Sequence, residues 1–104
     1  MHPMIEKKEQ LKDMARAIRS LKMTRKTDVG ANWKIYVASR KYRHEHIAYC
    51  LVRGRSYEQI EKPSEFNLPN WDIINPLKDK LQKSVDEANA EWARQHPPLE
   101  VSNG

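Results

Sequence analysis

The chain has 104 residues, of which 38% are hydrophobic and 32% are charged, and its formal net charge is +5. This length fits a single domain. No apolar run approaches the roughly 20 residues of a membrane-spanning helix, and the N-terminal MHPMIEKKEQ is charged where a signal peptide would be apolar. A lone cysteine, Cys50, excludes an internal disulfide. We therefore expect a cytoplasmic protein, with one helical domain over residues 1–96 and a flexible tail over residues 97–104.

The charge is unevenly distributed along the chain. Residues 1–55 contain 14 Lys or Arg against 5 Asp or Glu, whereas residues 56–104 contain 5 against 9. A strongly basic half predicts an anionic partner such as nucleic acid. The same pattern also fits two halves that complement each other within the fold or in a dimer.

The first predicted helix covers residues 4–22. Its apolar residues recur at steps of three and four and so share one face: Leu11, Met14, Ala15, Ile18 and Leu21. At about 100° per residue, cations line one flank of this stripe, namely Lys8, Lys12, Arg16 and Arg19. The other flank is acidic and consists of Glu6, Glu9 and Asp13. Such sorting of charge exceeds what solubility requires.

A linker over residues 23–32 precedes a second predicted helix, which starts near Trp33 with Asn32 as a candidate cap and stops at Gly54. One face of this helix carries Trp33, Tyr36, Val37, Ile47, Ala48 and Leu51, and a second face carries Tyr42 and Tyr49. Two apolar stripes are typical of a helix packed between neighbours. We expect this helix to be central and to break near Ser39.

The segment Ser56-Tyr57-Glu58-Gln59 has the spacing of a capping box and predicts a short helix over residues 57–61. In the following loop, residues 63–69, we expect Phe66 and Leu68 to enter the core. The last helix is predicted to begin near Asn70 or at Asn75-Pro76, with an apolar stripe of Ile74, Leu77, Leu81, Val85, Ala88 and Trp92. Either the first helix covers this stripe in antiparallel packing or a dimer partner does. The sequence thus predicts an all-α domain of four helices.

The segment LVRGRSYEQIE, residues 51–61, resembles the first two helices of the sigma-factor region 4 type of helix-turn-helix. The resemblance implies that Ile60 anchors the core and that the helix beginning Asn70-Trp71-Asp72 enters the major groove of DNA. Two features depart from that pattern, a longer turn over residues 62–69 and an acidic helix start. A small helical hairpin core explains the same residues.

Residues 42–61, YRHEHIAYCLVRGRSYEQIE, also resemble a stretch found in small uncharacterised proteins of tailed bacteriophages. This second resemblance implies that the setting is the cytoplasm of an infected host cell. It further implies that the partner is nucleic acid or a host protein.

The densest cationic segment runs from Arg40 to His46, with Arg53 and Arg55 further along the chain. Basic side chains neutralise phosphates, and aromatic rings stack on unpaired bases. We therefore predict a surface that binds DNA or RNA, formed by Lys41, Arg43, Arg53 and Arg55 together with Lys8, Lys12, Arg16 and Arg19. In the alternative interpretation, Arg40 pairs with the acidic last helix, and Tyr42 and Tyr49 belong to the core.

His46 and Cys50 lie four residues apart, which places two possible metal ligands on one helical face. No CxxC and no second His pair completes a set of three or four ligands, so we predict no metal site and a buried Cys50. No nucleophile motif or Gly-rich phosphate loop occurs.

These observations predict a non-enzymatic protein without a cofactor, present as a monomer or homodimer. The leading hypothesis is a small basic nucleic-acid-binding accessory protein that contacts backbone phosphates through its N-terminal half. The alternative is a protein-interaction module, such as a phage-encoded inhibitor or adaptor of a host protein.

Overall fold

The computed structural model describes residues 1–24, 30–62 and 68–97. These ranges contain four helices and no strand: α1, Pro3–Thr24; α2, Ala31–Val52; α3, Tyr57–Ile60; and α4, Trp71–Gln95. The predicted all-α fold is therefore confirmed. No helix in this part of the chain is long and apolar enough to cross a membrane. Residues 98–104, most of the predicted tail, lie outside the described residues.

As its two apolar stripes predict, α2 is the central helix and packs against α1, α3 and α4. α1 runs antiparallel to α2. Lys7, near the start of α1, pairs with Glu45 in the second half of α2 at 3.1 Å. Ile18, further along α1, lines a groove with Ser39 in the first half of α2.

The core lies where the second half of α2 meets α1, α3 and α4. One cluster of buried residues joins three helices and consists of Leu11, Tyr49, Cys50, Leu81 and Val85. A second cluster consists of Ile47, Ala48 and Ile74, with Tyr57 and Ile60 of α3 packed against it. Ile47 and Ile74 are fully buried, and burial of such a side chain contributes about 1.5–3 kcal/mol relative to exposure.

The predicted antiparallel packing of the first helix on the last is confirmed. α1 contacts α4, and His2 Nε2 lies 3.2 Å from Asn89 Oδ1 at the opposite end of α4. The first helix does not cover the whole predicted stripe, because the Trp92 side chain at its end is 61% exposed. Met1 and His2 form one side of a shallow groove beside Trp92 without covering it.

Two predicted details of α2 are wrong. The helix continues through Ser39 without a break, because residues 31–52 contain neither Gly nor Pro. Asn32 lies inside the first turn, and Gly30 takes the N-cap position without a side-chain bond. The predicted stop is confirmed at Gly54, whose φ of 90° is a left-handed conformation that glycine adopts without steric cost.

Both later helices begin with caps that their sequences predict. The capping box forms, and the Ser56 backbone N–H donates to Gln59 Oε1 at 2.8 Å. α4 begins at Trp71, because the Asn70 side chain accepts the Asp72 backbone N–H at 3.1 Å and satisfies a donor that has no partner within the helix.

The segment before α4 differs from its prediction. The side chain of Leu68 is 71% exposed, so the expectation that it enters the core is wrong. Its carbonyl oxygen instead accepts a hydrogen bond from Arg43 Nη1 at 3.4 Å. Phe66 lies outside the described residues, as do its neighbours over 63–67. The helix-turn-helix core implied by the sigma-factor resemblance is not confirmed.

Candidate anion-binding seam between the first two helices

Two shallow grooves follow one another along the junction of α1 and α2, which we call the basic seam. The first groove, of about 450 Å³, is lined by Lys8 of α1 and by Arg53, the residue that follows α2. The second, of about 460 Å³, has Arg19 and Lys22 of α1 facing Tyr42 of α2. Among the described residues, no carboxylate lines either groove.

Helical periodicity places these cations together. Lys8 and Arg19 fall nearly on one line along α1, because 11 residues are close to three turns, and Lys22 lies within about 60° of both. They span about 21 Å at about 1.5 Å per residue. The sequence prediction included Lys8 and Arg19 but missed Lys22, because the helical angle of Lys22 falls within the apolar stripe, between those of Ile18 and Ala15.

Arg53 reaches the first groove from just beyond the end of α2. Its guanidinium lies 5.6 Å from the centroid of the Tyr49 ring, in a cation–π contact. Tyr49 is buried in the core, and Tyr42 is half-buried against it. The part of the alternative interpretation that places both tyrosines in the core is therefore confirmed. Its other part is not, because the partner of Arg40 in the described structure is the Tyr36 hydroxyl, at 3.5 Å, and not the last helix.

Lys12 and Arg16 lie beside the seam in ion pairs with the acidic flank of the same helix. Lys12 Nζ is 3.3 Å from Glu9 Oε1, and Arg16 Nη1 is 2.9 Å from Asp13 Oδ1. All four side chains are exposed, and such pairs contribute at most about 1 kcal/mol. A phosphate that approaches α1 competes with these carboxylates at little energetic cost.

Arg43 is held within the fold. It donates to both carboxylate oxygens of Glu61, at 2.7 Å from Nη2 and 2.9 Å from Nε, and its Nη2 lies 3.4 Å from the Tyr57 hydroxyl. These bonds lower the pKa of Glu61 and raise that of Arg43, because each charge stabilises the other. The guanidinium thus links α2 to α3, and we leave Arg43 out of the site proposed below. Lys41 and Arg55 are exposed but line neither groove.

A buried histidine lies one residue after Arg43. His44 is 3% exposed, and its Nε2 has no hydrogen-bond partner among the described residues. Burial lowers the pKa of His44, and the positive charges of Arg40 and Arg43 lower it further. Its ring is therefore neutral at pH 7. Sequence reasoning included His44 as part of the cationic segment from Arg40 to His46.

Cys50 is buried, as predicted, and its Sγ lies 3.6 Å from His46 Nε2. Burial raises the pKa of the thiol despite the nearby charges of Arg55 and Arg53, so the thiol is protonated at neutral pH. In the described parts of the chain, no group of three or more His, Cys, Asp or Glu is placed to hold a metal ion.

No protein-family model matches the chain, and no curated protein or solved structure shows significant similarity to it. Any functional conclusion therefore rests on the geometry and charge of the chain itself.

Proposed function

We propose that this protein binds nucleic acid through the sugar-phosphate backbone and that the basic seam is its contact surface. The observation that carries the proposal is the charge of the two grooves. Their charged lining residues are Lys8, Arg19, Lys22 and Arg53, with no carboxylate among the described lining residues. Backbone binding requires clustered cations and does not require a recognition helix.

Other grooves on the described surface have mixed charge. The groove between α1, α2 and α4 contains both members of the Lys7–Glu45 ion pair, together with Glu6 and Lys80. The groove at the end of α4 contains Glu91. The seam is thus basic because of where the fold places its side chains, and the net charge of the chain alone does not explain it.

The length of the seam suits a polyanion. Lys8 and Lys22 are separated by about 21 Å along α1, and duplex DNA carries one negative charge per about 1.7 Å of its axis. A nucleic acid laid along α1 therefore presents several phosphates to the seam. Lys12 and Arg16 supply further cations beside it once phosphates replace their carboxylate partners.

One observation favours a second candidate function, the binding of a protein partner. A groove of about 510 Å³ at the end of α4 is lined by Met1, Ala88 and the exposed Trp92. Exposed apolar surface of this kind is typical of protein interaction sites. An inhibitor or adaptor of a host protein, as the bacteriophage resemblance implies, would use such a surface.

Charge reversal tests the leading proposal. We expect the parent chain to bind an arbitrary duplex or single strand at low salt, with an affinity that falls steeply as salt rises. The combined variant K8E/R19E/R53E should lose at least about a hundredfold in affinity, because three phosphate contacts become repulsive. The matched variant K62E/K80E/K83E has the same net charge but keeps the seam, and it should retain most of the affinity.

A parent chain without salt-dependent binding would overturn the nucleic-acid proposal. A pull-down from bacterial lysate, with and without nuclease, then separates the two candidates. Capture that survives nuclease and is lost on Trp92→Ala would support a protein partner at the end of α4.

A further inference from the structure

The first half of α2 carries an aromatic surface that no other described element covers. Trp33 is 69% exposed and Tyr36 is 54% exposed, and their rings stack with centroids 5.6 Å apart and planes at 25°. We call this pair the aromatic platform. Both residues lie on the same face of α2 as Ile47 and Leu51, but α3 and α4 cover only the second half of that face.

Cations accompany the aromatic platform. Arg40, one turn after Tyr36, donates from Nη1 to the Tyr36 hydroxyl at 3.5 Å and so lies on the same side of the helix. Lys41 follows and is exposed. Residues 30–44 contain no Asp or Glu. A second copy docked symmetrically on this face would place cations against cations, so the face suits an anionic partner.

The aromatic platform adjoins the basic seam. Ser39 lines the second groove together with Arg19 and Lys22. Tyr36 precedes Ser39 by three residues and is therefore its neighbour on the helix surface. A strand whose phosphates follow the seam therefore reaches Tyr36 first. It meets Trp33, which stacks on Tyr36, by turning about 60° further around α2.

We infer that Trp33 and Tyr36 form a stacking platform for unpaired bases and that the protein prefers single-stranded nucleic acid to duplex. The inference rests on the proposed function, because stacking adds to a backbone contact that the seam makes. Bases within a duplex present only their edges in the grooves, whereas unpaired bases stack on exposed aromatic rings beside a cationic surface. A single strand combines the two properties that this surface selects, negative charge and flat aromatic faces.

The test compares W33A and Y36A with the matched control W92A. Trp92 is also exposed and stacked, on His96 at 4.4 Å, but it lies at the far end of α4. The probes are an oligothymidine of about 16 nucleotides, the upper end of common single-strand site sizes, and a duplex with the same number of phosphates. Affinities are measured by fluorescence anisotropy at one fixed salt concentration.

Each platform variant should bind the oligothymidine roughly five- to a hundredfold more weakly, the range measured when one stacking side chain is removed. Duplex affinity should change less than about twofold, since the phosphate contacts are intact. W92A should match the parent on both probes. Trp33→Phe keeps an aromatic face and should restore most of the single-strand affinity. All substituted side chains are exposed, so far-UV circular dichroism should show unchanged helix content.

Two results are decisive against the inference. If W33A and Y36A bind the oligothymidine as tightly as W92A and the parent, the stacking platform is overturned while the proposed function stands. If the parent binds neither probe in a salt-dependent manner, the proposed function and the platform fall together.

Discussion

The two halves of α2 have similar apolar spacing but opposite environments. In the second half, residues 42–52, Ile47 and Cys50 are buried beneath α1, α3 and α4. In the first half, residues 31–41, Trp33 and Tyr36 share the face of Ile47 and lie open to solvent. Periodicity therefore identifies a helical face, but the position of the neighbouring helices decides whether that face is buried. In this chain the same stripe serves as core at one end and as a candidate binding surface at the other.

Truncation of apolar side chains should separate the two halves most strongly. Ile47→Ala removes a fully buried side chain and should lower the free energy of unfolding by about 2–5 kcal/mol, because a cavity remains. Val37→Ala, on the open half of the same helix, should change it by less than about 0.5 kcal/mol. Urea denaturation followed by circular dichroism measures both. A comparable loss in the two variants would show that the first half is also covered.

Removal of single arginines should also separate the two halves of α2, but by a smaller difference in the free energy of unfolding. Arg43→Ala leaves the partly buried Glu61 without its bidentate partner and should cost about 1.5–3 kcal/mol of unfolding free energy, typical of hydrogen bonds to charged groups. Arg40→Ala, three residues earlier on the open half, should be nearly neutral because its side chain is exposed. If both variants lose the same unfolding free energy, Arg43 does not link α2 to α3.

His44, in the packed half of α2, should make the stability of the fold depend on pH. Its folded-state pKa is lower than its ordinary value of 6.5, so the unfolded chain binds the proton more readily. The stability of the fold should therefore fall as pH drops below about 6.5, with a slope of at most about 1.4 kcal/mol per pH unit for this one group.

The variant His44→Leu tests this assignment, because it keeps the site apolar and should flatten the slope just below pH 6.5. Protonation of Glu61 should cause a separate loss of stability. This loss should appear at pH values below 4.5, the ordinary pKa of a Glu carboxyl group, because the pKa of Glu61 is lowered. Urea denaturation at a series of pH values measures both windows. An unchanged slope in His44→Leu would assign the sensitivity to another group.

Much of the fold is predictable from the sequence because its determinants are local. The steps of three and four residues in α1, the box at Ser56 and Gln59, and the glycine at position 54 each act within one or two helical turns. The error at Leu68 and the exposure of Trp92 at the end of the α4 stripe have a different origin. Their burial depends on how far other segments extend in space, and no local pattern encodes that.

The candidate site was predictable only in part. The phase of α1 placed Lys8 beside Arg19, and these residues line two successive grooves, whereas Lys22 has the phase of the apolar stripe and was missed. The role of Arg43 was hidden, since its partner Glu61 is distant in sequence and meets it only after α3 turns back on α2. Charge density along a sequence therefore finds cations but does not separate those on the surface from those paired inside.

Contact between the basic seam and phosphates is measured most directly by the slope of log affinity against log salt for a duplex probe. In K8Q/R19Q/R53Q, each lost contact should reduce the slope by about 0.9, a total of about 2.7. The control K62Q/K80Q/K83Q loses the same three charges away from the seam, and its slope should match that of the parent. Equal slopes in the two variants would contradict a phosphate-binding seam between α1 and α2.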